Sequence, residues 1–168
     1  FLQSPESLFV DSASRYGLAK PTEPTLGFGI QVADFDNDSW LDLALLNGHV
    51  YDNRANDAPF RMPPQLFRRD RRGFVEQAPE SAGHYWGGKT LGRTLARFDL
   101  DRDGRMDLVG NHLDQPIAVL RNESEAGNWI QLRLVGVVSE RDAVGAIVTA
   151  RFGDRTRTVW RSSGGYMT

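Results

Sequence analysis

The chain of 168 residues is 40% hydrophobic and 25% charged, the balance of an ordinary globular domain and not of an intrinsically disordered one. A net charge of -2 and a pI near 5.9 recommend neither nucleic acid nor an anionic membrane as partner. No apolar run approaches the roughly 18 residues of a spanning helix, so no membrane insertion is expected, and the absence of cysteine excludes disulfides and thiolate metal sites.

In chain order, Phe1-Leu2-Gln3-Ser4-Pro5-Glu6 has no basic start and no long apolar core, so it is not read as a signal peptide. Residues 1–20 read as the end of a preceding repeat, and Lys20-Pro21-Thr22-Glu23-Pro24 as a linker. Residues 28–33, 41–47, 65–69 and 73–77 read as four short strands. An Asp-rich turn, a long 48–64 connection and the Asp70-Arg71-Arg72-Gly73 hairpin turn separate them. The pattern then recurs 65 residues on: Phe9 maps to Phe74, Asp11 to Glu76, Ala13 to Ala78, Gly27 to Gly92, Ile30 to Leu95 and Asp34 to Asp99. Four antiparallel strands per repeat is the arrangement of a propeller blade. The expected fold is therefore all-β, with two four-stranded β-propeller-type blades over 21–124 followed by a second β-rich module over 125–168. That module is read from the alternating runs 129–134 and 147–152 and from the Gly153-Asp154 turn into 156–160.

The chemistry concentrates in the two Asp-rich turns. Asp34, Asp36, Asp38 and Asp42, and again Asp99, Asp101, Asp103 and Asp107, stand at the first, third, fifth and ninth positions of nine-residue loops. Such spacing converges four carboxylates, and two charges about 4 Å apart repel by roughly 4 kcal/mol at an effective dielectric of 20. A cation removes that repulsion. Calcium fits best, because it takes six to eight hard oxygens in a flexible shell, with the backbone carbonyl of Trp40 or Arg105 at the seventh position as a further ligand. An EF-hand is excluded, since its acidic twelfth position is Leu45 in one loop and Gly110 in the other.

Other features carry less. The Arg68, Arg69, Arg71, Arg72 group reads as a solvated turn and not as a polyanion site, because Asp70 interrupts it and no aromatic residues are interleaved. His49, Tyr51, His84, Tyr85 and Trp86 lie in connections, where they either pack loops or contact a sugar or a protein. The three histidines, His49, His84 and His112, belong to no recognisable catalytic motif, so no enzyme is expected.

Gly29-Ile30-Gln31-Val32-Ala33-Asp34-Phe35-Asp36-Asn37-Asp38 and Ala96-Arg97-Phe98-Asp99-Leu100-Asp101-Arg102-Asp103-Gly104 resemble FG-GAP or VCBS repeats, the calcium-loop blades also found in integrin α heads. Asn128-Trp129-Ile130-Gln131-Leu132-Arg133-Leu134, with Ser139 to Ala146 and Ser163-Gly164-Gly165-Tyr166, resembles the opening of an ASPIC/UnbV domain. The pairing is similar to the cartilage acidic protein family and its bacterial relatives, with Ser39 departing from the glycine of the repeat pattern. The resemblance implies a secreted, cell-surface or periplasmic protein with a calcium-stabilised scaffold and an adhesion-type role, and the lack of a catalytic motif makes a non-catalytic scaffold the first expectation. Its implied partners are a protein or carbohydrate ligand and the rest of a larger parent chain. The alternative is the scaffold portion of a secreted polysaccharide-acting enzyme whose active site lies elsewhere.

Overall fold

The computed structural model describes residues 2–3, 9–52 and 59–162. The remainder of the 48–64 connection and the Ser163-Gly164-Gly165-Tyr166 stretch lie outside the described residues. The chain divides into two compact units, Phe1–Ala126 and Gly127–Thr168.

In the first unit, β1 (Leu2–Gln3) and β2 (Phe9–Val10) pair antiparallel. A short helix, α1 (Ala19–Thr22), occupies the segment read as a linker; its Pro21 sits in the first turn, where a missing N–H costs nothing. Then β3 (Gly27–Ala33), β4 (Asp42–Asn47), β5 (Gln65–Arg69) and β6 (Phe74–Glu76) form one antiparallel meander, close to the four expected strands. Alternation governs β3, where Gly29, Gln31 and Ala33 are buried while Phe28, Ile30 and Val32 are exposed. By contrast β4 is buried along its whole length, because both faces of the sheet are covered there. The β5–β6 turn is closed by Asp70, whose Oδ1 accepts the amides of Arg72 at 2.6 Å and Gly73 at 3.1 Å.

After α2 (Pro79–Ala82) and a 3-10 turn at His84–Gly87, the repeat resumes in β7 (Gly92–Phe98), β8 (Asp107–His112) and β9 (Ala118–Leu120). The register shift between Gly27 and Gly29 returns between Gly92 and Thr94, 65 residues on. One expectation is corrected: this second sheet has three strands among the described residues, not four. The segment that would supply the fourth is used otherwise, since Asn122 and Ser124 direct their donors to Asp107 and to the Phe35 carbonyl.

The main core lies between the sheets: Ala33, Ala44 and Leu46 of the first meet Leu95 and Leu108 of the second, with Phe35 and Trp86. Two glycines permit this approach. A Cβ on Gly29 would stand 2.6 Å from the Leu95 nitrogen, and one on Gly92 would stand 2.6 Å from Leu46 Cβ. Gln31 Nε2 donates to the Leu95 carbonyl at 2.7 Å, so the buried amide is satisfied across the interface. A smaller cluster, Leu43, Leu45 and Phe67 with Leu18 and Phe74, covers part of the opposite face of the first sheet. These sheets are open, not closed on themselves.

In the second unit, β10 (Ile147–Phe152) and β11 (Arg155–Trp160) form an antiparallel hairpin through Gly153, whose φ is 59°. Residues 129–134, expected as a strand, carry no ladder. The hairpin closes locally, at a small loop-closure cost, and leaves that alternating run exposed, with Ile130 69% accessible.

Candidate metal centre

Each Asp-rich loop joins two paired strands, from Ala33 to Asp42 and from Phe98 to Asp107. In the first loop, Asp34 Oδ1 accepts the Asp38 amide at 2.9 Å and its Oδ2 accepts the Ser39 amide at 2.9 Å. In the second, Asp99 does the same for the amides of Asp103 and Gly104, both at 3.1 Å. Asp38 Oδ1 takes the Trp40 amide at 2.8 Å, and Asp103 Oδ1 takes that of Arg105 at 2.9 Å. The fourth and sixth positions are left-handed in both copies: Asn37 and Ser39 have φ of 54° and 73°, Arg102 and Gly104 of 61° and 83°. The ninth aspartate braces each loop. Asp42 accepts the Phe35 amide on Oδ2 at 3.0 Å and the Arg69 amide on Oδ1 at 2.8 Å, while Asp107 accepts Leu100 and Asn122, each at 2.7 Å.

This folding gathers one carboxylate oxygen from each of Asp34, Asp36 and Asp42 within 4.8 Å of one another, and likewise from Asp99, Asp101 and Asp107. Each triad could hold a metal ion. The fifth-position acids, Asp38 and Asp103, fall outside these triads; Asp103 is engaged by Arg105, whose Nε donates to its Oδ2 at 2.8 Å. That contact holds the Asp103 carboxyl below its usual range. Of the seventh residues, the Arg105 side chain pairs with Asp103, and the Trp40 ring lies 5.2 Å from the Arg69 guanidinium.

The surroundings of Asp42 disfavour its charged form. Burial pushes its pKa up to about 6 from 3.8, the amides of Arg69 and Phe35 oppose the rise, and the charges of Asp36 and Asp38 add to it. An arginine in or just after the third strand answers each cluster: Arg68 of β5 lies 2.5 Å from Asp36 Oδ2 and 3.5 Å from Asp38 Oδ2, and Arg121, which follows β9, lies 2.8 Å from Asp101 Oδ2. The Asp36 Oδ2 atom is buried without an aligned hydrogen bond, so the Arg68 contact is mainly coulombic. Thus Arg68 pairs with carboxylates of the first loop.

Sequence reasoning missed Asn122, Ser124 and Asn37. Asn122 Nδ2 and Ser124 Oγ both donate to the Phe35 carbonyl, at 2.7 and 3.1 Å, and Asn37 Nδ2 donates to the Gly104 carbonyl at 3.2 Å. The Arg68–Arg121 equivalence was recoverable by aligning the third strands at an offset of 53, which Leu43↔Phe67 and Leu108↔Leu120 confirm. Among the loop aromatics, Trp86 is in the core and Tyr85 places its hydroxyl 2.7 Å from His112 Nε2. Those two pack loops, while Tyr51 is 74% exposed and His49 accepts the Tyr51 amide at 3.1 Å.

The triads offer hard carboxylate oxygens without imidazole or thiolate, a donor set suited to hard divalent cations. Searches of family models and of curated proteins return no match to this chain.

Proposed function

We propose that this chain is a non-catalytic, calcium-binding repeat scaffold of a secreted, cell-surface or periplasmic protein, serving contact with a protein or carbohydrate ligand. The observation that carries the reading is repetition: two acidic triads 65 residues apart, braced by the same amides on the same aspartate oxygens. An acidic surface turn has no reason to repeat its two left-handed residues and its bracing aspartate in register. Calcium is preferred to magnesium because a loop of carboxylates and backbone carbonyls is a flexible oxygen cage, whereas magnesium demands a near-ideal octahedron and keeps its waters. When bound, the ion supplies the positive charge that the converging carboxylates lack.

The propeller-blade reading, and the resemblance to FG-GAP/VCBS repeats followed by an ASPIC/UnbV module, belong to the same proposal. The β3–β6 meander supports it, as does the exposed face of Phe28, Ile30 and Val32. Ile30 is the repeat equivalent of Leu95, which the first sheet buries, so a further repeat of a larger parent chain is the natural cover for that face.

The test is calcium titration followed by thermal melting. Because a ligand that binds only the native state stabilises it by mass action, about 2.7 kcal/mol at a hundredfold excess over Kd, the melting temperature of the parent rises with calcium. Asp36→Asn and Asp101→Asn each lose part of the rise. A parent whose melting is indifferent to calcium overturns the reading.

A further inference from the structure

We propose that Asn122 couples the two carboxylate triads, so that loading one tightens binding at the other. This rests on the reading of both triads as cation sites. One chain of hydrogen bonds runs between them. The Asn122 amide donates to Asp107 Oδ1 at 2.7 Å, and the Asn122 side-chain Nδ2 donates to the Phe35 carbonyl at 2.7 Å. On its other side, the Phe35 amide donates to Asp42 Oδ2 at 3.0 Å. A single residue of each repeat therefore lies between a member of one triad and a member of the other.

The rest of Asn122 is fixed as well. Its Oδ1 accepts the Ser124 amide at 3.1 Å and lies 2.7 Å from the Ser124 hydroxyl, whose one hydrogen it shares with the Phe35 carbonyl, and its Nδ2 also reaches the Met106 carbonyl at 3.2 Å. This amide group is saturated and cannot turn without breaking several bonds. Its repeat equivalent differs: Arg69 braces Asp42 through the same backbone amide, but its side chain lies over Tyr16, Trp40 and Phe74. The bridge is thus a property of the second copy, reaching back to the first. Asn37, donating to the Gly104 carbonyl, ties the loops a second time.

Binding a cation at either triad fixes its bracing aspartate. Through the Phe35 peptide and Asn122, the ordering extends to the other aspartate, and the second cation meets a loop whose ordering is already paid for. The coupling is reciprocal by linkage.

Isothermal titration of the whole chain with calcium chloride tests this. Asp36→Asn isolates the second site and Asp101→Asn the first. The overall two-site constant of the parent should exceed the product of the two single-site constants by about fivefold or more, the lower end of ordinary coupling. With Asn122→Ala in all three backgrounds the ratio should fall to at most about half of the parent's, the Asn37 tie holding the remainder, while each single-site constant stays within about twofold, because the Asp107 brace uses the backbone amide. If Asn122→Ala does not fold, Asn122→Ser keeps an oxygen at the position but lacks the amide donor, and the ratio should fall likewise. Two sites that bind with a ratio near one in the parent, or a ratio that survives both substitutions, overturn the coupling and leave the metal reading intact. A parent that binds no calcium overturns both.

Discussion

Asp42 and Asp107 perform one task twice: each accepts an amide from its own loop on Oδ2 and, on Oδ1, an amide at or just beyond the end of the third strand. These aspartates are braces as well as candidate ligands, and the two roles separate without metal. Asp107 holds both of its amides at 2.7 Å, shorter than the 3.0 and 2.8 Å at Asp42, and is the one to test. In chelator, Asp107→Ala removes the acceptor of two part-buried amides, those of Leu100 and Asn122, and should cost up to about 2–6 kcal/mol in denaturant unfolding, at roughly 1–3 kcal/mol for each group. Asp103→Ala, outside the triad, should cost clearly less. Equal losses would show that Asp107 braces nothing.

Ser39 carries strain that Gly104 avoids. Its φ of 73° lies in the left-handed region, where a side chain costs about 1–2 kcal/mol, and the matching position in the second loop is a glycine at 83°. Part of the relief from Ser39→Gly is returned through the freer unfolded chain, about 0.5–1 kcal/mol. A net gain of roughly 0.5–1 kcal/mol in chelator is therefore expected, with the single-site calcium constant of the first loop, read in the Asp101→Asn background, raised and that of the second, read in the Asp36→Asn background, unchanged. A stability equal to or below the parent's would mean that the serine hydroxyl or the loop contacts already absorb the strain.

Local signals placed most of the first unit. The alternation of β3, the turn residues Asp70 and Gly73, and the 65-residue repeat each depend on near neighbours or on self-comparison, and the structure follows them. What sequence reasoning missed is long-range. Asn122 meets Phe35 across 87 residues, and nothing near Asn122 indicates that its donor crosses to another loop. The fourth strand of the second repeat failed for the same reason, since the segment after β9 found partners in the Asp loops instead of at a sheet edge. The run at 129–134 has the period of a strand but pairs with no strand among the described residues, and period alone does not supply a partner. The departure of Asp38 and Asp103 from the triads is a matter of side-chain direction, which spacing does not fix.

Tyr85 predicts an alkaline transition. Burial pushes its phenol up to about 12 from 10, and its hydroxyl donates to His112 Nε2 when the His112 Nδ1 hydrogen points at the Pro116 carbonyl 3.2 Å away. A raised folded pKa means that the native state keeps a proton the unfolded chain has released. This contribution is complete below pH 10 and is lost as pH rises from 10 towards 12. Between pH 9 and 11.5 the parent should lose more stability than Tyr85→Phe, whose ring cannot ionise. Parallel losses in the two proteins would place the phenol in water.

The last prediction separates two glycines on one strand. A Cβ on Gly29 would lie 2.6 Å from the Leu95 nitrogen and 2.9 Å from the Thr94 carbonyl carbon, both backbone atoms of the opposing sheet. Backbone cannot step aside as a flexible side chain can, so Gly29→Ala must push β3 and β7 apart or distort both. Separation would also lengthen the 2.7 Å bond from Gln31 Nε2 to the Leu95 carbonyl and loosen the packing of Leu95 on Ala33 and Leu46. Overpacking of this kind costs typically 1–3 kcal/mol, and with the buried bond disturbed the upper half of that range is expected. Gly27, two residues earlier, differs: a Cβ there meets Asn47 Oδ1 at 3.4 Å and Leu45 Cδ2 at 3.7 Å, which is ordinary contact. Gly27→Ala should therefore be neutral, or stabilising by about 0.4–1 kcal/mol through the stiffer unfolded chain. Urea unfolding of the two variants beside the parent decides the matter. If Gly29→Ala is as benign as Gly27→Ala, the two sheets are not in the close backbone contact on which the core between them depends.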